Sequence, residues 1–297
     1  MTDNMRGILA ILASATGFVI NDALVKLVTE ELPTSEIIVV RGVMATAILA
    51  AAAAFARAWR PPRAFMQPAM LIRLVTSALS TLCIVAALRY LPLATTTAIL
   101  QVTPLVVTAG AALLLGAPVG WRRWTASLAG LFGVLLIIRP GGESFVPEVW
   151  VAILALVFTA TRDLTTRFID HSTPSILVAA ASSGMVMLGG LCLAPFETWV
   201  FPSGKAMLQL AAAAVSLYFA YYLGIVAMRT GEIPVVAPFR YSLILLALLL
   251  GYVLWGHIPD ALAFTGIGIV VAAGLYLLHR EQVAVRERRA APLARNT

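Results

Sequence analysis

Two stretches decide how this chain folds: Ile20-Asn21-Asp22-Ala23-Leu24-Val25-Lys26 and Ala160-Thr161-Arg162-Asp163-Leu164-Thr165-Thr166-Arg167. An offset of 141 residues lays Asp22 on Asp163, Lys26 on Arg167 and Pro33 on Pro174. An offset of 140 lays Ala87-Leu88-Arg89 on Ala227-Met228-Arg229, and Gly116 on Gly256. In a sequence rich in alanine and leucine, only the polar, glycine and proline coincidences carry weight. They predict an internal duplication, with a slip of one residue in loop length.

Outside these stretches the chain is overwhelmingly apolar. Its 297 residues are 61% hydrophobic and 12% charged, with a mean hydropathy of +0.94. Soluble domains run at roughly 45–50% apolar and about 25% charged, so a water-soluble globule would lack the ionic groups to cover its surface. At roughly 20 apolar residues per helical span, the length fits about ten spans and leaves no soluble domain. Apolar windows place the first five spans at 6–29, 35–57, 69–89, 92–115 and 121–139. The second five fall at 148–169, 174–194, 205–228, 233–255 and 260–279. They are too long for barrel strands and show no period-two alternation. The expected fold is an all-α membrane protein of ten transmembrane helices. Residues 1–140 and 141–280 each hold an odd number of spans, so the halves lie upside down relative to each other. Inverted repeats of this kind bind substrate near the midplane, between the halves. Residues 281–297 form a basic, Ala/Arg-rich cytoplasmic tail, expected to be disordered.

The net charge of +7 and pI near 9.9 serve orientation rather than nucleic acid, since no basic stretch carries interleaved aromatics on a soluble fold. With ten spans, thirteen basic residues, among them Arg6, Arg57, Arg122, Arg123 and the tail arginines, fall on the side of the termini. Only Lys26, Arg89, Arg139 and Lys205 fall opposite. Both termini are therefore expected in the cytoplasm, in a multi-pass protein of the inner membrane. Cys83 and Cys192 lie in apolar runs without CxxC spacing, and His171, His257 and His279 are scattered near span ends. Neither set predicts a metal site or a cofactor. The first span is interrupted by Asn21 and Asp22 and reads as retained rather than as a cleaved signal.

Two further stretches carry a family likeness. One runs Ala87-Leu88-Arg89-Tyr90-Leu91-Pro92-Leu93-Ala94-Thr95-Thr96-Thr97-Ala98-Ile99-Leu100, followed by Thr103-Pro104-Leu105. The other runs Leu115-Gly116-Ala117-Pro118-Val119-Gly120-Trp121-Arg122-Arg123-Trp124, continuing into Gly130-Leu131-Phe132-Gly133 and Arg139-Pro140-Gly141. Over nearly its full length the chain resembles the EamA-type ten-helix permeases of the drug/metabolite transporter superfamily. The resemblance implies export of amino acids and other small metabolites, or import of riboflavin, S-adenosylmethionine or related nutrients. Asp22-Ala23-Leu24-Val25-Lys26 resembles the riboflavin and S-adenosylmethionine importers more than the aromatic amino-acid exporters.

A charge at bilayer depth costs roughly 2.5–3.5 kcal/mol even on insertion scales, and so needs a partner or water. Asp22, Arg41, Arg162, Asp163 and Arg240 all lie inside spans. At 1.5 Å per residue, Asp22 and Arg41 sit about 12 Å below the outer face and are expected to meet there. Asp163 and Arg240 sit at a similar depth from the inner face and are expected to pair in the inner half. Asp22 with Lys26, and Asp163 with Arg167, are i,i+4 pairs with the acid first, the better order on a helix. These six residues are candidate gating pairs. Each pair can equally be structural. Asp22 or Asp163 is the candidate carrier of a coupling proton; burial favours the protonated acid, and neighbouring arginines oppose it.

Arg162 replaces what symmetry would make an asparagine, Asn21, and leaves the intramembrane arginines one in excess. A guanidinium without its own acid suits a substrate carboxylate; the alternative is that it shares Asp163 or a backbone carbonyl. Between the two clusters lie Gln101, Ser77, Ser80, Thr81, Tyr218, Tyr221, Tyr222 and Tyr241. Arg162, Gln101, Tyr241, Asn21, Ser80, Tyr218 and Tyr222 are the candidate substrate contacts, with amide and hydroxyls for polar groups and rings for an apolar part. Pro104, Pro234 and Pro238 should kink spans 4 and 9, and Ala129/Gly133 and Gly268/Ala272 read as close-packing faces.

No HExxH, GxSxG or GxxxxGK[ST] pattern occurs, so an intramembrane enzyme or a self-contained nucleotide-driven pump lacks its machinery. The expectation is a secondary transporter working by alternating access. Its partners are a small polar organic substrate and the lipid bilayer, with protons as a possible coupling ion. It would act as a monomer or homodimer.

Overall fold

The computed structural model describes residues 3–57, 65–115, 120–138, 147–166, 168–170, 173–230 and 236–290. Among them every regular element is helical: α1 Asp3–Val28, α2 Thr34–Phe55, α3 Pro68–Tyr90, α4 Leu93–Leu100, α5 Thr103–Leu115 and α6 Trp121–Ile138. The second half holds α7 Val149–Thr166, α8 Ser175–Leu193, α9 Gly204–Thr230, a 3-10 turn Ala237–Tyr241, α10 Ser242–Trp255 and α11 Ala261–Ala290. Eight of the described helical stretches are long and apolar enough to cross a bilayer. Two shorter apolar helices, Trp124–Ile138 and Phe239–Trp255, accompany them. Large apolar side chains such as Leu128, Phe132, Leu249 and Leu262 face outward, where water would not tolerate so many. This is an all-α membrane protein.

Prolines set many of the helix starts. Pro33, Pro92 and Pro174 immediately precede α2, α4 and α8, and Pro68 opens α3, positions where a missing N–H costs nothing. Gly256, at φ 66°, ends α10 and lets the N–H groups of residues 256 and 257 close onto the Tyr252 and Gly251 carbonyls.

Three windows differ from their sequence-based bounds; in the ninth, the 3-10 turn Ala237–Tyr241 precedes α10. The fourth span breaks between α4 and α5, because Pro104 has no N–H for the Leu100 carbonyl. Thr103 Oγ1 donates to that carbonyl instead. The last helix continues to Ala290 rather than ending near 279, so residues 281–290 are ordered as helix. Extending an existing helix costs far less than nucleating one, and this stretch is rich in Arg, Glu and Ala.

Packing joins one half to the other. The principal pairings are α1 on α9, α3 on α7, α2 on α8 and α6 on α11, with α4 also against α10. Small residues allow close approach: Ser14 Oγ donates to the Ala220 carbonyl at 2.7 Å, and a Cβ on Gly17 would meet Ala220 at 3.1 Å. A Cβ on Gly133 would meet the Gly266 carbonyl at 2.8 Å. The close-packing residue of α11 is thus Gly266, whereas Gly268 has nothing within 4 Å of its added Cβ.

Candidate functional site

A cavity of about 320 Å³ opens between α2, α3, α7, α8 and α9. Its walls include Arg41 and Gly42 of α2; Arg73, Ser77 and Thr81 of α3; and Arg162 and Asp163 of α7. Ser182 and Ser183 of α8, Tyr221 of α9 and Arg240 of the 3-10 turn complete the polar lining, beside apolar Leu217. Four guanidinium groups therefore share one cavity with one carboxylate. The volume suits a single small metabolite.

The expected clusters at opposite mouths converge here. Residues about 12 Å from each face of a hydrocarbon core roughly 30 Å thick are separated by only about 6 Å along the normal. Arginine side chains bridge that distance, so depth alone did not separate two mouths.

The wiring also differs from the expected pairs. Asp163 is bound by its own neighbour: Arg162 Nε and Nη2 each lie 3.0 Å from Asp163 Oδ1. Arg240 lines the same cavity without an ion pair to Asp163. A neighbouring guanidinium folds back with less chain to order than one arriving from another span. Arg167 lies outside the described residues, and with it the Asp163–Arg167 pair.

Asp22 and Arg41 do come together, but through Asn21. Arg41 Nη1 donates to Asn21 Oδ1 at 3.1 Å, and Asn21 Nδ2 donates to Asp22 Oδ1 at 2.8 Å. Lys26 is not the partner of Asp22. Its Nζ donates to the Leu88 and Leu91 carbonyls at 2.6 and 2.8 Å, and lies 5.5 Å from the Trp255 ring. The last carbonyls of α3 lack helical donors and sit at the negative end of its dipole, which attracts the ammonium more than a relayed carboxylate does.

Of the other candidates, Gln101 caps α4 and donates to the Arg240 carbonyl at 3.4 Å, tying together the two interrupted spans. Tyr241 is buried in an apolar cluster with Ala98, Ile244 and Ile267, its ring against Gly274. Ser80 joins α3 to α7 by a 2.6 Å bond with Thr159. Tyr218 and Tyr222 stack on each other, 6.5 Å apart, on the helix face beside the one that carries Leu217 and Tyr221. None of these five residues lines the cavity, whereas Tyr221 does.

Sequence reasoning missed Arg73. Its Nη1 donates to the Thr166 hydroxyl, and its buried Nε has no partner among the described residues. Lying one turn inside α3, it reads in sequence as a base able to reach the headgroups, and the duplication offers no charged counterpart.

At the far end of α1 a second polar arrangement joins the halves. Glu31 accepts from Ser203 N–H and Oγ at 2.9 and 3.0 Å, and Glu36 from Val200 N–H at 3.0 Å. Glu197 accepts from Ser35 N–H at 2.7 Å, and Trp199 Nε1 donates to Ser35 Oγ at 2.8 Å. The two Ser203 hydrogen bonds, helped by the charge of Lys205, hold the Glu31 carboxyl below the usual glutamate range.

The EamA-like transporter family matches residues 5–139. Residues 5–139 thus carry an EamA-like transporter domain, and the relatives are transporters by name. The permease is 29% identical over 280 residues to the pseudopaline exporter of Pseudomonas aeruginosa (strain UCBPP-PA14), covering 91% of this chain and 94% of that one. It is 28% identical to a riboflavin transporter of Rhizobium johnstonii, over 74% of this chain and 72% of the relative. An S-adenosylmethionine uptake transporter of Rickettsia prowazekii is 24% identical over 66% of this chain and 67% of its own length. A crystal structure of a protein superposes with a TM-score of 0.62 at 21% identity, covering 93% and 96% of the two chains, a likeness of fold. The permease is a transporter, not an enzyme.

Proposed function

We propose that this permease is a secondary transporter that moves a small polar organic metabolite across the bacterial inner membrane by alternating access. The observation that carries the reading is the arginine cavity, built by α2 and α3 from one half and α7, α8 and Arg240 from the other. Arg162 is the proposed contact for a carboxylate of the substrate, steered by Asp163.

The halves 1–140 and 141–280 are proposed to be inverted repeats. Exchanging them maps α1 on α9 onto α7 on α3, and α2 on α8 onto itself, and both pairings occur. The basic-residue count supports cytoplasmic termini. The glutamate clasp between residues 31–36 and 197–203 would then close the outer mouth, and protons remain the candidate coupling ion.

Amino acids and related metabolites fit this reading. Import of a riboflavin- or S-adenosylmethionine-type nutrient is the second reading, favoured by the relatives of those names. The positive cavity argues against the sulfonium cation of S-adenosylmethionine. Reconstituted protein should give saturable uptake and counterflow for one of these compounds. Flux that rises linearly with concentration, without counterflow, would overturn the transporter mechanism. A reporter after Thr297 should be cytoplasmic; an external one would break the span count.

A further inference from the structure

From the charge balance of the cavity we infer that the transported substrate is a small organic dianion, two carboxylates or a carboxylate with a phosphonate or phosphate. This rests on the proposed transport reading and deepens it. Arg162 is met by Asp163, and Arg41 is tied through Asn21 to Asp22. Arg73 and Arg240 line the same cavity without an ion pair among the described residues. The only side-chain partner of Arg73 there is the neutral Thr166 hydroxyl, and its buried Nε is unpaired.

Arg73 is half-buried and Arg240 stands exposed at the cavity rim; a ligand that covers both must bring a negative charge to each, or their desolvation on binding goes uncompensated. The planar fork fits carboxylate and phosphate oxygens equally well. Arg73 comes from the first half and Arg240 from the second. A ligand with an anionic group at each end joins them, and a monoanion leaves one exposed to its like-charged neighbours.

The test uses the full chain in proteoliposomes with succinate, glutarate, adipate and 3-phosphonopropionate as dianions, and glutaramate as the monoanion. Riboflavin and S-adenosylmethionine serve as neutral and cationic probes. The best-fitting dianion should bind roughly thirty-fold or more tightly than glutaramate, and lose more affinity with added salt. Arg73→Gln should cost the dianion far more affinity than it costs glutaramate, bringing the two close together, and Arg73→Lys should restore part of the difference. Carboxylate against phosphonate preference identifies the second group.

Equal binding of glutarate and glutaramate overturns the assignment. So does failure of every dianion to bind folded wild-type protein, or an Arg73→Gln loss that is the same for both charge states. Dianion binding without counterflow would sink the transport reading and leave the ligand class standing. Counterflow of riboflavin or S-adenosylmethionine alone would do the reverse.

Discussion

Asn21-Asp22 and Arg162-Asp163 occupy the same register of the two halves, and the wiring around them differs by one exchange. In α1 the acid follows an amide, and the base comes from the next helix, as Arg41. In α7 the acid follows the base itself, and the position offset by 141 residues from Arg41 is Ser182, whose buried hydroxyl has no partner among the described residues. The first arrangement is a buried relay in which Asn21 both accepts and donates. The second keeps a guanidinium and a carboxylate at the cavity wall, partly exposed. On the proposed reading, one repeated motif serves rigidity on one side and ligand contact on the other, through which residue carries the positive charge.

The largest effect should come from making the second half copy the first. Arg162→Asn should reduce flux of the cognate substrate by roughly thirty- to several-thousand-fold, the range for losing a desolvated charged contact. Arg162→Lys should recover little, because the ammonium lacks the fork. Initial-rate uptake with purified, monodisperse variants checks this. Wild-type flux from Arg162→Asn would reduce Arg162 to a structural partner of Asp163.

A smaller and opposite asymmetry is expected in stability. Asn21→Ala removes the relay and strands Arg41 and Asp22, at a cost of about 1–3 kcal/mol. Ser182→Ala removes a hydroxyl that has no hydrogen bond among the described residues, and should be neutral or slightly stabilising. Unfolding in mixed detergent micelles compares the two. Equal losses would mean that the relay contributes no more than an ordinary buried polar side chain.

Most of the fold was legible because hydropathy and proline act locally. Pro33, Pro68, Pro92 and Pro174 mark helix starts in sequence as they do in space. The break after Leu100 was only half legible: Pro104 announced a kink, but the Thr103 hydroxyl that settles the freed carbonyl depends on local geometry. Within the site, the charged positions were legible and their partners were not. Lys26 chose the end of α3 over Asp22, and Asp163 chose its neighbour over Arg240. These are competitions between donors that meet only after folding. Arg73 gave no signal in the duplication, and Tyr221 parts from Tyr218 and Tyr222 only once the rotation of α9 is known.

The smallest predicted effect concerns the two ends of the bundle and depends on pH. At the far end of α1, carboxylates accept the bonds that join the halves, with Glu31 receiving both donors of Ser203. Near the end of α7, a described contact between the halves is neutral, from Asp170 N–H to Gln67 Oε1 at 3.4 Å. Acid should therefore loosen the Glu31 contact. The Glu31 carboxyl titrates below its ordinary value because of the Ser203 hydrogen bonds. A folded-state value that is depressed adds stability above the unfolded value, about 4.3 for glutamate. That contribution fades as pH falls from there through the folded value. Amide exchange at Ser203 should accelerate across that window relative to the intrinsic rate. Glu31→Gln should flatten the part of the profile due to this carboxyl. If exchange at Ser203 keeps the same acid dependence in Glu31→Gln, then Glu36 and Glu197 hold this mouth without it.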